Sequence, residues 1–191
     1  MERMRSRRTV VLGVLAASLV ASRAGKAQDD QGPEPPVFGD GVAGGGTFES
    51  PAGEAEFSLV AFAQDRGDDP VDFVGTFSLQ DAAGPEGPLL MESQSLSGYS
   101  APDEESPDLR RVIGWATANG SGPFPYILDV EFPVEGQSSD TTLTVLFGEA
   151  AAILMGTGKE SACDCGGFDY RVKGTVTRGG VNRFAIPQSA G

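Results

Sequence analysis

The chain has no histidine, and only two cysteines, one tryptophan and three tyrosines in 191 residues. Without histidine, a Ser-His-Asp or Cys-His catalytic arrangement is excluded, and so is a histidine-based zinc site. Two cysteines fall short of the four ligands that a closed zinc centre needs. Basic residues are scarce: 14 Lys and Arg stand against 27 Asp and Glu, a net charge of −13. Such a field repels nucleic acid and anionic lipid surfaces. A phosphate-cradling loop is missing too, because Gly44-Gly45-Gly46 runs into Thr47-Phe48 with no lysine. Long hydrophobic runs are also lacking. The stretch Val10 to Ala21 is about 12 residues, short of the ~20 that a membrane-spanning helix takes.

That short run has a recognisable setting. Arg3, Arg5, Arg7 and Arg8 precede it and small residues follow, which is the layout of a cleaved secretory signal peptide over residues 1–27. Ser6-Arg7-Arg8-Thr9-Val10-Val11-Leu12 is twin-arginine-like, and cleavage fits after Ala24 or Ala27. Cutting after Ala27 removes six basic residues and one acidic residue. It leaves 8 basic against 26 acidic residues, or −18 over 164 residues. The expectation is a secreted, extracytoplasmic protein with no stable membrane span in its mature form. Its expected partner is an extracellular protein or a small ligand, with no nucleic acid.

Residues 28–45 are rich in Gly, Pro and acid, which predicts a flexible lead-in to a β-domain over 46–187. In that domain short runs of Val, Ile, Phe, Tyr and Thr recur between Gly, Pro and Asp clusters, and no segment holds a helical period. In 54–64 Ala55, Phe57, Leu59, Ala61 and Ala63 share one face. In 71–80 Val71, Phe73, Gly75, Phe77 and Leu79 do the same, so the two runs predict a hairpin. Further strands are expected at 88–98, 110–119, 124–132, 140–147, 151–156 and 168–178, with short edges at 46–49 and 181–186. Pro125 should sit at a strand end or an edge. Gly120-Ser121-Gly122-Pro123 signals a hairpin, and Asn119-Gly120-Ser121 reads as a tight turn rather than a sugar acceptor. The fold class is all-β: an antiparallel barrel or sandwich of eight to ten strands, mostly meander hairpins. Phe57, Phe73, Phe77, Trp115, Tyr126 and Phe132 are expected to fill its interior.

The order of segments resembles a known family. GGGTF (44–48), AEFSLVAFAQ (55–64), VGTFSLQD (74–81), RRVIGWATANGSGPFPYILDVEF (110–132), DTTLTVLFG (140–148) and YRVKGTVTRGGV (170–181) are similar to the post-COAP type domain of secreted bacterial proteins. The resemblance implies an extracellular β-domain without established chemistry, and no functional residue is carried over from it.

Candidate site residues are few. Asp65, Asp68, Asp69 and Asp72 crowd one turn and offer the oxygen ligands that calcium prefers, although not at EF-hand spacing. Asp103, Glu104, Glu105 and Asp108 crowd another turn, in an acidic loop over 99–109. Cys163 and Cys165 are a candidate disulfide. An exported location favours oxidation, and i,i+2 cysteines need a tight turn to bridge, which Gly166 and Gly167 supply. Free or intermolecular thiols, and a metal or redox role, remain alternatives for this pair. Met91 and Met155 read as core residues of strands. The carboxylates Glu54, Glu56, Asp72, Asp129 and Glu131 allow a hydrolase reading, but they sit at strand ends or on polar faces. The sequence therefore suggests no catalytic residue and no cofactor. Its leading reading is a non-enzymatic binding or presentation module, with a carrier of a small apolar ligand and a carboxylate hydrolase as the alternatives.

Overall fold

The computed structural model describes residues 38–50, 53–65, 70–101, 107–134, 140–156 and 168–186. Eight strands form a closed antiparallel barrel in which each pairs with its neighbours in sequence and the last pairs with the first. They are β1 (Asp40–Ser50), β2 (Gly53–Gln64), β3 (Asp72–Asp81), β4 (Leu89–Ser100), β5 (Leu109–Ala118), β6 (Ser121–Glu131), β7 (Thr142–Gly148) and β8 (Asp169–Ala185). A single short helix, α1 (Glu149–Leu154), follows β7 among the described residues.

The two-residue alternation seen in the sequence sets the faces. Ala55, Phe57, Leu59, Ala61 and Ala63 of β2 point inward together with Phe77 and Leu79 of β3. Phe48, Met91, Tyr99, Val112, Tyr126, Leu128, Val130, Leu143, Val145 and Phe147 join them in the core, with β8 contributing Tyr170, Val172 and Val181. Tyr99, Tyr126, Phe48, Phe77 and Phe147 are all 0% exposed. Of the expected interior aromatics, Trp115 is a correction. The inward residues of β5 are Arg110, Val112, Gly114, Ala116 and Ala118, so Trp115 takes the outer face, half-buried. Bulk on the inside there comes from β6: a Cβ on Gly114 would stand 2.8 Å from the Tyr126 ring.

Two further expectations are corrected. The supposed lead-in is barrel wall from Asp40 onward, because β1 pairs with both β2 and β8. Its glycines close the barrel. A Cβ on Gly44 would stand 2.1 Å from the Gly180 carbonyl oxygen, and one on Gly46 would stand 1.9 Å from that of Arg178. Glycine at these positions permits close backbone approach, not slack. The supposed strand at 151–156 is α1 and its C-terminal turn. Gly148, with φ of 76°, turns the chain out of β7, and Glu149-Ala150-Ala151-Ala152 are strong helix formers with acid in the first turn. A short apolar run fits either element, and the alanines decide it. Met155 is therefore half-buried at a helix end, whereas Met91 is core as expected.

The expected hairpins stand. Asn119 (φ 49°) and Gly120 (φ 80°) make the β5–β6 turn in the left-handed region that a two-residue hairpin loop requires. Asn119 is held by its side chain, which accepts from the Leu90 N–H and donates to the Pro88 carbonyl. Pro125, expected at a strand end or an edge, lies inside β6 instead; it pairs with Trp115 of β5, while the β6–β7 ladder begins only at Tyr126. Its missing N–H is therefore never needed on the β7 side.

Candidate functional site at the two ends of the barrel

The interior is filled, so polar chemistry collects at the two ends. In a meander, β1 begins at the same end where β4 stops and β5 starts. That end carries a clasp centred on Asp40. The Tyr99 hydroxyl donates to Asp40 Oδ1 at 3.1 Å. Arg110 donates to Asp40 Oδ2 through Nη2 at 2.7 Å and Nε at 3.2 Å. The pair is largely shielded, with side chains 10% and 24% exposed. Arg110 Nη1 also holds the carbonyls of Pro107 and Leu109. Arg183 reaches the same turn from β8: its Nη2 donates to the Pro107 carbonyl and to Asp108 Oδ1, and its guanidinium lies 4.5 Å from the centre of the Phe132 ring. The clasp thus ties β1, β4, β5 and β8 together across the mouth. Burial is the main cause that pushes the Tyr99 hydroxyl above the ordinary tyrosine value of 10.0, and Asp40 adds to it.

The opposite end holds a second Tyr–Asp bond. The Tyr170 hydroxyl donates to Asp81 Oδ2 at 2.7 Å, and Asp81 Oδ1 accepts from the Ala83 N–H at 2.8 Å. Asp81 is 1% exposed, so both oxygens need these partners. Burial again leads in raising the Tyr170 hydroxyl above its ordinary range, with Asp81 adding to it. Phe124, Phe147 and Phe168 pack as a triad beside it, with ring centres 5.2–5.8 Å apart. The Ala150 N–H at the start of α1 donates to Asp169 Oδ1.

Asp65 follows β2 and Asp72 begins β3, directly opposite Gln64. Asp68 and Asp69 lie outside the described residues, as do Cys163, Cys165 and Asp103 to Glu105. Asp108 is paired with Arg183. Among the carboxylates of the hydrolase reading, three are paired on the outer wall: Glu54 with Arg178 at 2.9 Å, Asp129 with Arg111 at 2.8 Å and Glu131 with Lys173 at 3.8 Å. Among the described residues no three acidic or cysteine side chains converge to hold a metal ion, and no helix is long and apolar enough to cross a membrane.

Two concavities open to solvent. One, about 380 Å3, is lined by Glu49, Glu54, Thr177 and Arg178, and the other, about 370 Å3, by Asp81, Asp169, Tyr170 and Arg171. Sequence reasoning missed Asp40, Asp81 and Arg110. The signal was present for two of them: Asp81 shares the inward parity of Phe77 and Leu79, and Arg110 that of Val112. A charged residue in phase with a core-facing row marks a buried polar bond. No family model, no curated protein and no solved structure matches the chain.

Proposed function

We propose that the protein is an exported, non-enzymatic β-barrel that acts by binding or presentation through its outer surface and loops. The observation that carries this reading is the filled interior, where Phe48, Phe77, Tyr126 and Phe147 are 0% exposed. An eight-stranded barrel is just wide enough for side chains to fill it, and aromatic rings take up the volume that a carrier would keep for its ligand. The described carboxylates support the reading as well. Those at the ends and several on the wall are tied to arginine, lysine, tyrosine or backbone donors, an arrangement suited to rigidity rather than proton transfer. The signal-like N-terminus, the acidic composition and the resemblance to post-COAP type domains point the same way.

Native intact-mass spectrometry of protein purified from the exported fraction, without reductant, tests the reading. The expected mass starts after Ala24 or Ala27 and carries no adduct. A retained lipid-sized adduct would make the protein a carrier, and turnover of polysaccharides by the same preparation would make it a hydrolase.

A further inference from the structure

The barrel has one weak seam. β3 and β4 pair only from Ser78 to Asp81 against Leu89 to Glu92, four residue pairs, whereas β2 and β3 share ten. Beyond the ladder, β4 shifts register against β5 twice, between Ser93 and Ser95 and between Leu96 and Gly98. Such bulges bend a strand and end its pairing. The first lost pair is marked by a substitute. The Phe77 N–H, which the Ser93 carbonyl would receive in a continued ladder, goes instead to Ser93 Oγ at 2.8 Å. Because the β2–β3 register runs unbroken from Ala55–Asp81 to Gln64–Asp72, alternation along β3 is intact. Phe73 and Gly75 therefore aim their N–H and C=O groups at the same edge as Phe77, where no ladder with β4 exists. Gly75 and Thr76 on one side of the seam, and Gln94, Ser95 and Ser97 on the other, are exposed.

A second observation lies behind the seam. The Tyr126 hydroxyl is wholly buried and forms no well-aligned hydrogen bond; the Ser93 hydroxyl is the polar group that bears on it. Ser93, whose hydroxyl bears on it as a hydrogen-bonding neighbour, is also engaged with the Phe77 N–H and the Thr76 hydroxyl. A Cβ on Gly114 would stand 2.9 Å from the Tyr126 oxygen and 2.3 Å from the Ser95 carbonyl, so the hydroxyl lies beneath the bulged stretch of β4. The backing of the seam is thus a buried polar atom that shares Ser93 with Phe77 and Thr76.

The outer wall next to this edge is uncharged. Phe184, Gly41, Phe62 and Val74 form one cross-strand row, and Asn182, Ala43, Val60 and Thr76 form the next, over β8, β1, β2 and β3. Phe62 and Phe184 meet edge to face across Gly41, 6.0 Å between centres. Charge reappears at the two limits of the seam, as Asp72 and Glu92. A strand laid against β3 would extend the two neutral rows at its centre and meet carboxylates at its ends.

We propose that the β3 edge at Phe73 and Gly75 is a strand-addition site for an extended peptide segment, uncharged at its centre and basic at its flanks. Main-chain hydrogen bonds to Phe73 and Gly75 supply the docking, and the neutral rows and acidic limits supply the selection. This deepens the binding reading and rests on it.

The test reads the edge itself. Amide hydrogen exchange is followed residue by residue in the full mature chain, alone and with the capped peptide Lys-Thr-Val-Thr-Val-Thr-Lys as probe. In the free protein the Phe73 and Gly75 amides are expected to exchange far faster than those of Leu59 and Ala61. With saturating probe they are expected to slow about ten-fold or more, as amides do on entering a ladder. Val74→Lys adds an outward charge of the kind that guards natural edges; it should abolish the slowing and shift the melting temperature by no more than about 3 °C, while Val74→Thr keeps it. Protected Phe73 and Gly75 amides in the free chain, or no response to the probe, overturn the proposal. If the edge fails to respond while the exported protein remains adduct-free and without turnover, the strand-addition site falls and the binding reading stands. An adduct or turnover removes the binding reading instead.

Discussion

Two tyrosines in this barrel are both buried and should answer the same deletion in opposite ways. The Tyr170 hydroxyl is a hydrogen-bond donor to Asp81, whose side chain has almost no contact with water. Tyr170→Phe leaves that carboxylate oxygen short of a partner, and a loss of about 2–3 kcal/mol is expected. The Tyr126 hydroxyl forms no well-aligned hydrogen bond and leans on a Ser93 hydroxyl shared with Phe77 and Thr76, so its burial is poorly compensated. Tyr126→Phe should therefore be neutral or stabilising by up to about 1 kcal/mol. Urea unfolding of the two variants beside the native chain decides both, and a destabilised Tyr126→Phe would mean that Ser93 satisfies the hydroxyl after all. Asp40 belongs to the same scale. It gathers Tyr99 and Arg110 from two other strands, so its loss strands a mostly buried guanidinium rather than a single bond.

At the scale of elements, the closure between β1 and β8 is the most demanding contact. Gly46 has φ of 147°, and a Cβ there would sit 1.9 Å from the Arg178 carbonyl oxygen. Gly180, on the facing strand, would place a Cβ with nothing within 4 Å. Gly46→Ala is expected to destabilise by roughly 3 kcal/mol or more through backbone displacement, and Gly180→Ala to change stability by less than about 0.5 kcal/mol. Thermal melts of the two variants check this directly, since the substitutions are chemically identical and differ only in what they meet. The same closure explains why the glycine-rich start of the domain reads as slack in the sequence. Composition records that side chains are missing. It does not record that another backbone has taken their place. α1 is the converse case: an apolar run whose alanines set its conformation, with Gly148 releasing it from β7.

For the molecule as a whole, the three tyrosines make alkaline stability a sharp observable. Tyr99, Tyr126 and Tyr170 are the only tyrosines, and burial holds all three hydroxyls above the ordinary value of 10.0. In the unfolded chain they ionise near pH 10, whereas in the barrel they keep their protons to higher pH. The unfolded state therefore binds fewer protons in that window, and stability falls as pH rises. The contribution is fully present below pH 10 and is lost progressively as pH climbs through the raised values. Tyrosinate absorbance should then appear together with the loss of β-sheet circular dichroism in one transition. Absorbance that rises while the barrel remains folded would show that at least one hydroxyl is open to solvent.

Much of this protein is set by local sequence. The alternation in 54–64 and 71–80 determined the faces of β2 and β3, Asn119-Gly120 determined the β5–β6 turn, and the absence of histidine alone removed whole classes of chemistry. These are short-range effects, carried by side-chain parity, backbone preference and residue chemistry over a few positions. Only the tertiary structure decided between barrel and sandwich, because closure depends on β1 meeting β8 across more than a hundred residues. It also decided that Trp115 faces outward while Gly114 makes room for Tyr126, and that Asp40, Tyr99 and Arg110 share one clasp. The weak seam between β3 and β4 has the same origin. Ser93 looks like any strand serine until the bulges beside it part the ladder, and the position of a bulge follows from how the whole barrel closes.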